Sequence, residues 1–502
     1  MNKPLLALTA RLKYGTSTKQ KRDDISNGFI ETLAGVYEKA RNALEYRAEN
    51  LVRRAAIERI LKRRIILNKD PVRLADRLLK ELIWAKYLTL DEVKAARRSD
   101  LEKVLSKYVQ FLGGKVPQEW VIKIASAEIE ELFNLNTDYK QFTFYAFQVM
   151  LQKIQITNTN LDLLVYFATD KVYAESDDEQ IAYHILSLAG EQISKEKFEE
   201  AWQLYKYAKR STELPRITKY VRRQMPPLVL LRDIYFYDPS NFKKIITSEE
   251  NFRTLGEEVL QNQIGKMSER ISTAGIRSVL YVFLTKMILA FGMEVPFELF
   301  FYDRVAKLPL IINLLFPPFI MWVSTMQIKL PSKKEKSNLL DRTWYIIQNF
   351  DTLKAEEDAL KDTIEVADQK ISYHIFSVLY SIFFVGIFAG IITILGKIGY
   401  TPFSEIIFIF FLTIIAFFAY RILQITKVYS YRDSQDNKPS FIDIISLPIL
   451  TIGSRLSMGL SKLNFLAFAF DFILEAPFKL ILGFVDEWIQ FLSTKKEEQI
   501  ID

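Results

Sequence analysis

The chain has 502 residues, 49% hydrophobic and 25% charged, and a formal net charge of +7, a size that leaves room for two or three domains. It contains no cysteine and only two histidines, His184 and His374. Disulfides, thiolate metal sites, cysteine nucleophiles and iron–sulfur clusters are therefore excluded, and little remains for a transition-metal site or a Ser/His pair.

Apolar and charged residues are segregated along the chain rather than mixed, so ordinary totals conceal an apolar C-terminal half. The opening MNKPLLALTARLKYG holds an apolar run of about six residues, shorter than the ~7–15 of a secretory signal. Between Asp24 and Leu112 apolar residues recur at intervals of three and four, first as Phe29, Leu33, Val36, Tyr37, Ala40 and Leu44, then from Asn50 to Ile66. That spacing predicts helices, with a stop and restart at Asp70-Pro71 and a break at Gly113-Gly114 and Pro117. Residues 1–110 form a basic helical region, and 111–250 a helical bundle or array punctuated at Asn158–Asn160 and Ser176–Asp178.

Beyond residue 250 the hydropathy changes. Residues 276–328 make a first membrane segment pair. Ser278–Tyr302 is apolar but carries Lys286, Glu294 and Glu298, and Leu308–Ile328 is uncharged but interrupted by Pro309, Asn313, Pro317 and Pro318, so a kinked or re-entrant span is expected. Residues 329–370 read as a cytoplasmic linker. In it Phe350, Leu353, Leu360, Ile364, Ala367 and Ile371 fit a short heptad that predicts a coiled-coil-like helix, equally an amphipathic helix packed on its own chain. Residues 371–424 form a transmembrane hairpin. Ile371–Leu395 has no Asp, Glu, Lys or Arg, and as a helix it reaches about 37 Å against a hydrocarbon core of about 30 Å. Thr401–Leu423 returns with Glu405 and Arg421 close to its ends. Residues 440–494 read as amphipathic interfacial helices, the last with Ile481, Phe484, Val485, Trp488 and Leu492 on one stripe.

Flanking charge sets the expected topology. Lys266, Arg270 and Arg277 precede the first segment; Lys329, Lys333, Lys334 and Lys336 follow the second; Arg421, Lys427 and Arg432 follow the fourth. Basic flanks stay cytoplasmic, which predicts four spans in the plasma membrane with both termini cytoplasmic, or two spans plus a membrane-embedded re-entrant pair. The fold class is thus all-α: an integral membrane protein with an N-terminal soluble helical bundle or array.

Two groups of residues invite a function. The cluster Arg53, Arg54, Arg59, Lys62, Arg63 and Arg64 fits solvated helix faces, anionic lipid headgroups or nucleic acid. Nucleic acid is disfavoured because no RNP-type, zinc-finger or helix-turn-helix signature accompanies it. Lys286, Glu294 and Glu298 share a helical stripe and suggest an ion or proton path, against a plain role in pairing helices. No phosphate-binding loop, metalloprotease motif or nucleophile elbow appears, and neither a cofactor nor a catalytic residue is implied.

The phrases ERILKRRI (58–65), ELIWAKYL (81–88), LPLIINLLFPPFIMW (308–322) and FILEAPFKLILGFVDEWIQFL (472–492) resemble those of an uncharacterised family of membrane proteins from uncultivated, small-genome bacteria. The resemblance spans nearly the full chain and implies a polytopic membrane protein, with no activity and no site residues to carry over. The expected function is a membrane-anchored scaffold or interaction protein that binds lipid and a protein partner or a second copy of itself. The alternative is an ion or small-solute channel or transporter.

Overall fold

A computed structural model describes residues 3–12, 49–67, 69–85, 87–88, 98–133, 137–187, 193–303, 305, 307–356, 360–361, 369–431 and 451. The expected helix at residues 24–44 and the interfacial helices at 440–494 lie outside the described residues. The described chain is helical apart from a two-residue parallel pairing of Ile154–Gln155 with Leu360–Lys361. It divides into two compact units, residues 11–150, 158–221 and 461–502 in one and residues 1–10, 151–157 and 222–460 in the other.

The N-terminal unit contains α2 (Glu49–Leu67), α3 (Pro71–Trp84), α4 (Arg98–Phe111), α5 (Gln118–Phe133) and most of α6 (Thr137–Lys153), together with α7 (Leu161–Tyr173), α8 (Asp178–Ser187) and α9 (Lys195–Arg210). Local chemistry fixes several boundaries. Asp70 accepts a hydrogen bond from the Val72 amide at 3.1 Å with Pro71 in the first turn of α3, a standard N-cap. Gly113 takes φ +80° after α4, where a side chain would be strained. Helix α5 buries Trp120, Val121, Ile124, Ala125, Ile129 and Phe133 around its circumference, so it must be enclosed by other helices. It lies in one continuous core with Ile57, Leu61, Leu78, Leu105, Tyr108 and Phe198. That core draws residues from both sides of position 110.

The other unit begins at its edge with α1 (Lys3–Arg11) and contains α11 (Pro226–Tyr237), α12 (Phe242–Ile245) and the 41-residue α13 (Glu249–Leu289), which follows α10 (Leu214–Gln224) in sequence. After α13 comes one π turn, Ala290–Glu294, then α14 (Val295–Tyr302), α15 (Lys307–Met326), α16 (Lys333–Gln348), α17 (Gln369–Ile398) and α18 (Pro402–Thr426). Among the described residues four helical stretches are long and apolar enough to cross a membrane: Glu249–Tyr302, Lys307–Met326, Val378–Ile398 and Pro402–Tyr429. Helix α15 runs unbroken through Pro317 and Pro318, and its 20 residues give about 30 Å of rise.

The heptad expected across 350–371 does not form one helix. Helix α16 ends at Gln348, Phe350–Ala355 is a 3₁₀ turn, and Glu356 is extended. Phe350 and Leu353, three residues apart, are both buried; the 3₁₀ turn eclipses that spacing onto one side, where a continuing α-helix would have offset it. Residues 362–368 lie outside the described residues.

Helices α13 and α15 approach closely at Gly275, where an added Cβ would run into the Thr325 side chain. A similar approach occurs at Gly256, whose Cβ would sit 2.6 Å from Leu340 Cδ2 of α16. The α17–α18 hairpin closes through Gly399 at φ +95°. The Tyr400 amide donates to the Leu395 carbonyl at 3.2 Å and the Gly399 amide to the Gly396 carbonyl at 3.1 Å, the paired bonds of a Schellman cap.

Candidate functional site

Lys286, Glu294 and Glu298 come together, and the π turn is the reason. At about 100° per residue an uninterrupted α-helix would set Glu294 roughly 80° away from Lys286. One extra residue in a π turn takes back about 100°, leaving an offset of about 20°. All three side chains then share one narrow stripe, with Lys286 at 0%, Glu294 at 1% and Glu298 at 2% exposure.

Each has partners on neighbouring helices. The Lys286 ammonium lies 3.3 Å from Glu294 Oε2 and 4.8 Å from the centre of the Phe411 ring of α18, a cation–π distance. Asn313 of α15, fully buried, donates from Nδ2 to Glu294 Oε1 at 2.5 Å. Glu298 accepts from Ser404 Oγ at 2.9 Å and from Thr401 Oγ1 at 3.2 Å, at the start of α18. Thr401 also caps that helix, accepting from the Ser404 amide at 3.2 Å. The sequence offered Asn313 only as an interruption in an apolar run, Thr401 only as the start of a span, and Ser404 not at all. Polar residues facing a charged stripe from other apolar helices are the signal that would have found them.

The basic cluster on α2 has a different fate, since most of its charges are met inside the N-terminal unit. Arg53 donates from Nε and Nη2 to the Glu130 carboxylate at 2.8 and 2.9 Å. Arg54, 2% exposed, lies 2.9 Å from Glu58 and 2.6 Å from Asp177. Lys62 pairs with Glu58 at 2.9 Å and Glu119 at 3.1 Å, and Arg63 and Arg64 share Glu81 at 2.6 and 2.7 Å. Arg59 is half-buried on the same helix. Burial by itself would raise the Glu58 carboxyl, but Arg54 and Lys62 outweigh it and hold the carboxyl below its ordinary range. These cations cement α2 to its neighbours.

The N-terminal unit also holds an open cleft of about 430 Å³, lined among others by Glu131, Lys140, Tyr166, Asp170, Ser176 and His184. His184 is clamped there: Nδ1 faces Asp170 Oδ2 at 2.6 Å and Nε2 faces Glu131. Burial would depress this imidazole, yet the two carboxylates prevail and raise it from 6.5 to about 10. Both ring nitrogens are occupied by carboxylates, so the ring can serve neither as a base nor as a metal ligand without breaking an ion pair. Ser176 Oγ donates to Asp170 Oδ1 at 3.0 Å, away from the ring. Among the described residues no group of three or more acidic or histidine side chains is arranged to hold a metal ion.

The chain matches no protein-family model, no curated protein and no solved structure. Its own geometry is therefore the basis for a functional reading.

Proposed function

We propose that the protein is a multi-pass membrane-anchored interaction protein: four spans fix it in the lipid bilayer, and the N-terminal helical unit is presented on the cytoplasmic side to a protein partner. The observation that carries the anchoring is the side-chain distribution on the four apolar helices. Ile276, Leu280, Leu284, Ile288, Phe300, Phe319, Ile382, Val385, Ile406 and Phe410 are all exposed, an apolar surface that water does not tolerate on this scale. Helix α17 is almost entirely uncovered from Val378 onward.

The four-span topology draws support from two sets of contacts. Glu298 meets Thr401 and Ser404, so the connections after α14 and after α17 lie at the same end of the bundle. At the other end Gly256 packs on Leu340, Thr343 donates to the Pro227 carbonyl at 3.3 Å, and Tyr429 donates to the Asp233 carboxylate. The basic flank at 329–336 and Lys427 belong to that second end, in keeping with the positive-inside pattern.

The interaction role is tested by purifying the full-length chain in mild detergent, identifying co-purifying proteins and measuring particle mass. The proposal predicts a defined partner that co-purifies with the wild type and with Glu298→Gln alike. A wild-type chain that purifies alone as a monomer from its native membrane contradicts it. A second reading, movement of an ion or small solute, is favoured by one observation: Lys286, Glu294 and Asn313 are fully buried together between helices that are otherwise apolar.

A further inference from the structure

The sequence placed its candidate lipid contact on α2, where most of the cations are met by carboxylates of the same unit. A different set stands open on α13. Lys266, Arg270 and Arg277 are all exposed, and among the described residues none of the three pairs with an acidic side chain. At about 100° per residue they fall within about 40° of one another, with the exposed Thr273 about 20° to one side. The exposed Glu269 lies roughly 60–100° round the helix from them. The same stripe runs on into the apolar stretch as Leu280, Leu284 and Ile288, 55%, 48% and 73% exposed. On the opposite side Ile271, Gly275, Ser278 and Val282 are buried. Gly275 also fixes the depth, because it packs on Thr325, one residue before the end of α15 and four before Lys329, where the basic flank begins. Trp322, 51% exposed, lies within one turn of Thr325 and suits the headgroup boundary. The cations of α13 therefore sit just outside the bilayer, directly below an apolar stripe that faces lipid.

We propose that Lys266, Arg270, Thr273 and Arg277 form a site on α13 for the headgroup of an anionic phospholipid, whose acyl chains lie along Leu280, Leu284 and Ile288. Arg270 and Arg277 are about 10 Å apart along the helix axis, so their long side chains converge on one phosphate from either side, and a guanidinium fork matches phosphate oxygens bidentately. Thr273, between them, brings a hydroxyl to the same group. Lys266 stands one turn farther from the bilayer, where it repels the quaternary ammonium of a zwitterionic headgroup and favours an anionic one. A free phosphate offers the same oxygens but nothing for the apolar stripe. This inference rests on the membrane anchoring proposed above and names the lipid class that the anchored α13 holds.

The test melts the full-length chain, purified in a mild non-ionic detergent, with added phosphatidylglycerol, phosphatidylcholine or inorganic phosphate. Phosphatidylglycerol is expected to raise the melting temperature at concentrations where the other two do not. Arg270→Gln and Arg277→Gln each raise its half-saturating concentration by about tenfold, whereas Arg63→Gln on α2 leaves it unchanged. Melting without added lipid shows that each variant is folded. An equal shift from phosphatidylcholine or from inorganic phosphate, or an undiminished phosphatidylglycerol response in both Arg270→Gln and Arg277→Gln, overturns the site. Anchoring is read separately, by flotation with phosphatidylcholine vesicles: a chain that floats without preferring phosphatidylglycerol loses this site and keeps its anchor, and one that stays in the aqueous fraction loses both.

Discussion

His184 offers a sharp test of the electrostatics in the N-terminal unit. Its imidazole sits between Asp170, itself 1% exposed, and Glu131, and the two carboxylates raise it from 6.5 to about 10 against the opposing effect of burial. A raised histidine stabilises the fold fully below its unfolded value near 6.5, and that contribution is lost as the pH climbs through about 10. At about 1.4 kcal/mol per pH unit the clamp is worth roughly 3–5 kcal/mol at neutral pH. His184→Gln removes the cation and leaves two neighbouring carboxylates facing each other, so it should destabilise the unit by an amount in that range at pH 7 and by much less at pH 10. The chain has only one other histidine, His374, so a His374→Gln variant labelled with ¹⁵N-histidine gives a single imidazole to follow by NMR. The ring should stay doubly protonated through pH 8 and titrate near 10. A midpoint close to 6.5, or a His184→Gln penalty that does not shrink between pH 7 and pH 10, refutes the clamp.

Three further outcomes follow from the packing. Arg54→Met should cost about 3–5 kcal/mol in denaturant unfolding, because it takes the buried guanidinium from Asp177 and leaves Glu58 with Lys62 alone, whereas Arg63→Ala should cost under about 1 kcal/mol, since Arg64 still holds Glu81; equal penalties contradict the assignment of Arg54 as the buried anchor of the cluster. Glu356 bridges Lys153 at 2.9 Å and Arg342 at 2.5 Å, so Glu356→Ala should lower the melting temperature more than Lys153→Met, which leaves Glu356 with Arg342; the reverse order in a thermal scan would reject the bridge. Gly275→Leu should separate α13 from α15 and reduce the yield of monodisperse protein in detergent, while Gly265→Leu, which faces open space, should not; matching size-exclusion profiles would rule out the close crossing.

Much of the architecture was written in residue patterns. The helix break at Asp70-Pro71, the turn at Gly113 and the reversal before Thr401 all rest on local chemistry that needs no tertiary knowledge: a side-chain cap, a positive φ and a Schellman turn. The heptad at 350–371 misled because apolar spacing alone does not distinguish a seam from a 3₁₀ turn whose Phe350 and Leu353 fold back into a local core. The stripe of Lys286, Glu294 and Glu298 was visible, but its coherence depends on the π turn at Ala290–Glu294, which has no sequence signature. The partners Asn313, Thr401 and Ser404 arrive from helices far along the chain. Sequence separation hid the internal carboxylates of the basic cluster for the same reason: Arg53 meets Glu130 and Arg54 meets Asp177 only once α2 has packed against later elements.

Four membrane crossings with a shared cytoplasmic face are what the proposed function requires. Because the chain has no cysteine, single cysteines at Asp303, Gly399, Ser332 and Ser430 can be read without background using a membrane-impermeant maleimide. Positions 303 and 399 should label from outside intact cells, and 332 and 430 only after the membrane is opened. Labelling of 332 or 430 in intact cells, or full recovery of the chain in the aqueous fraction without detergent, would contradict it.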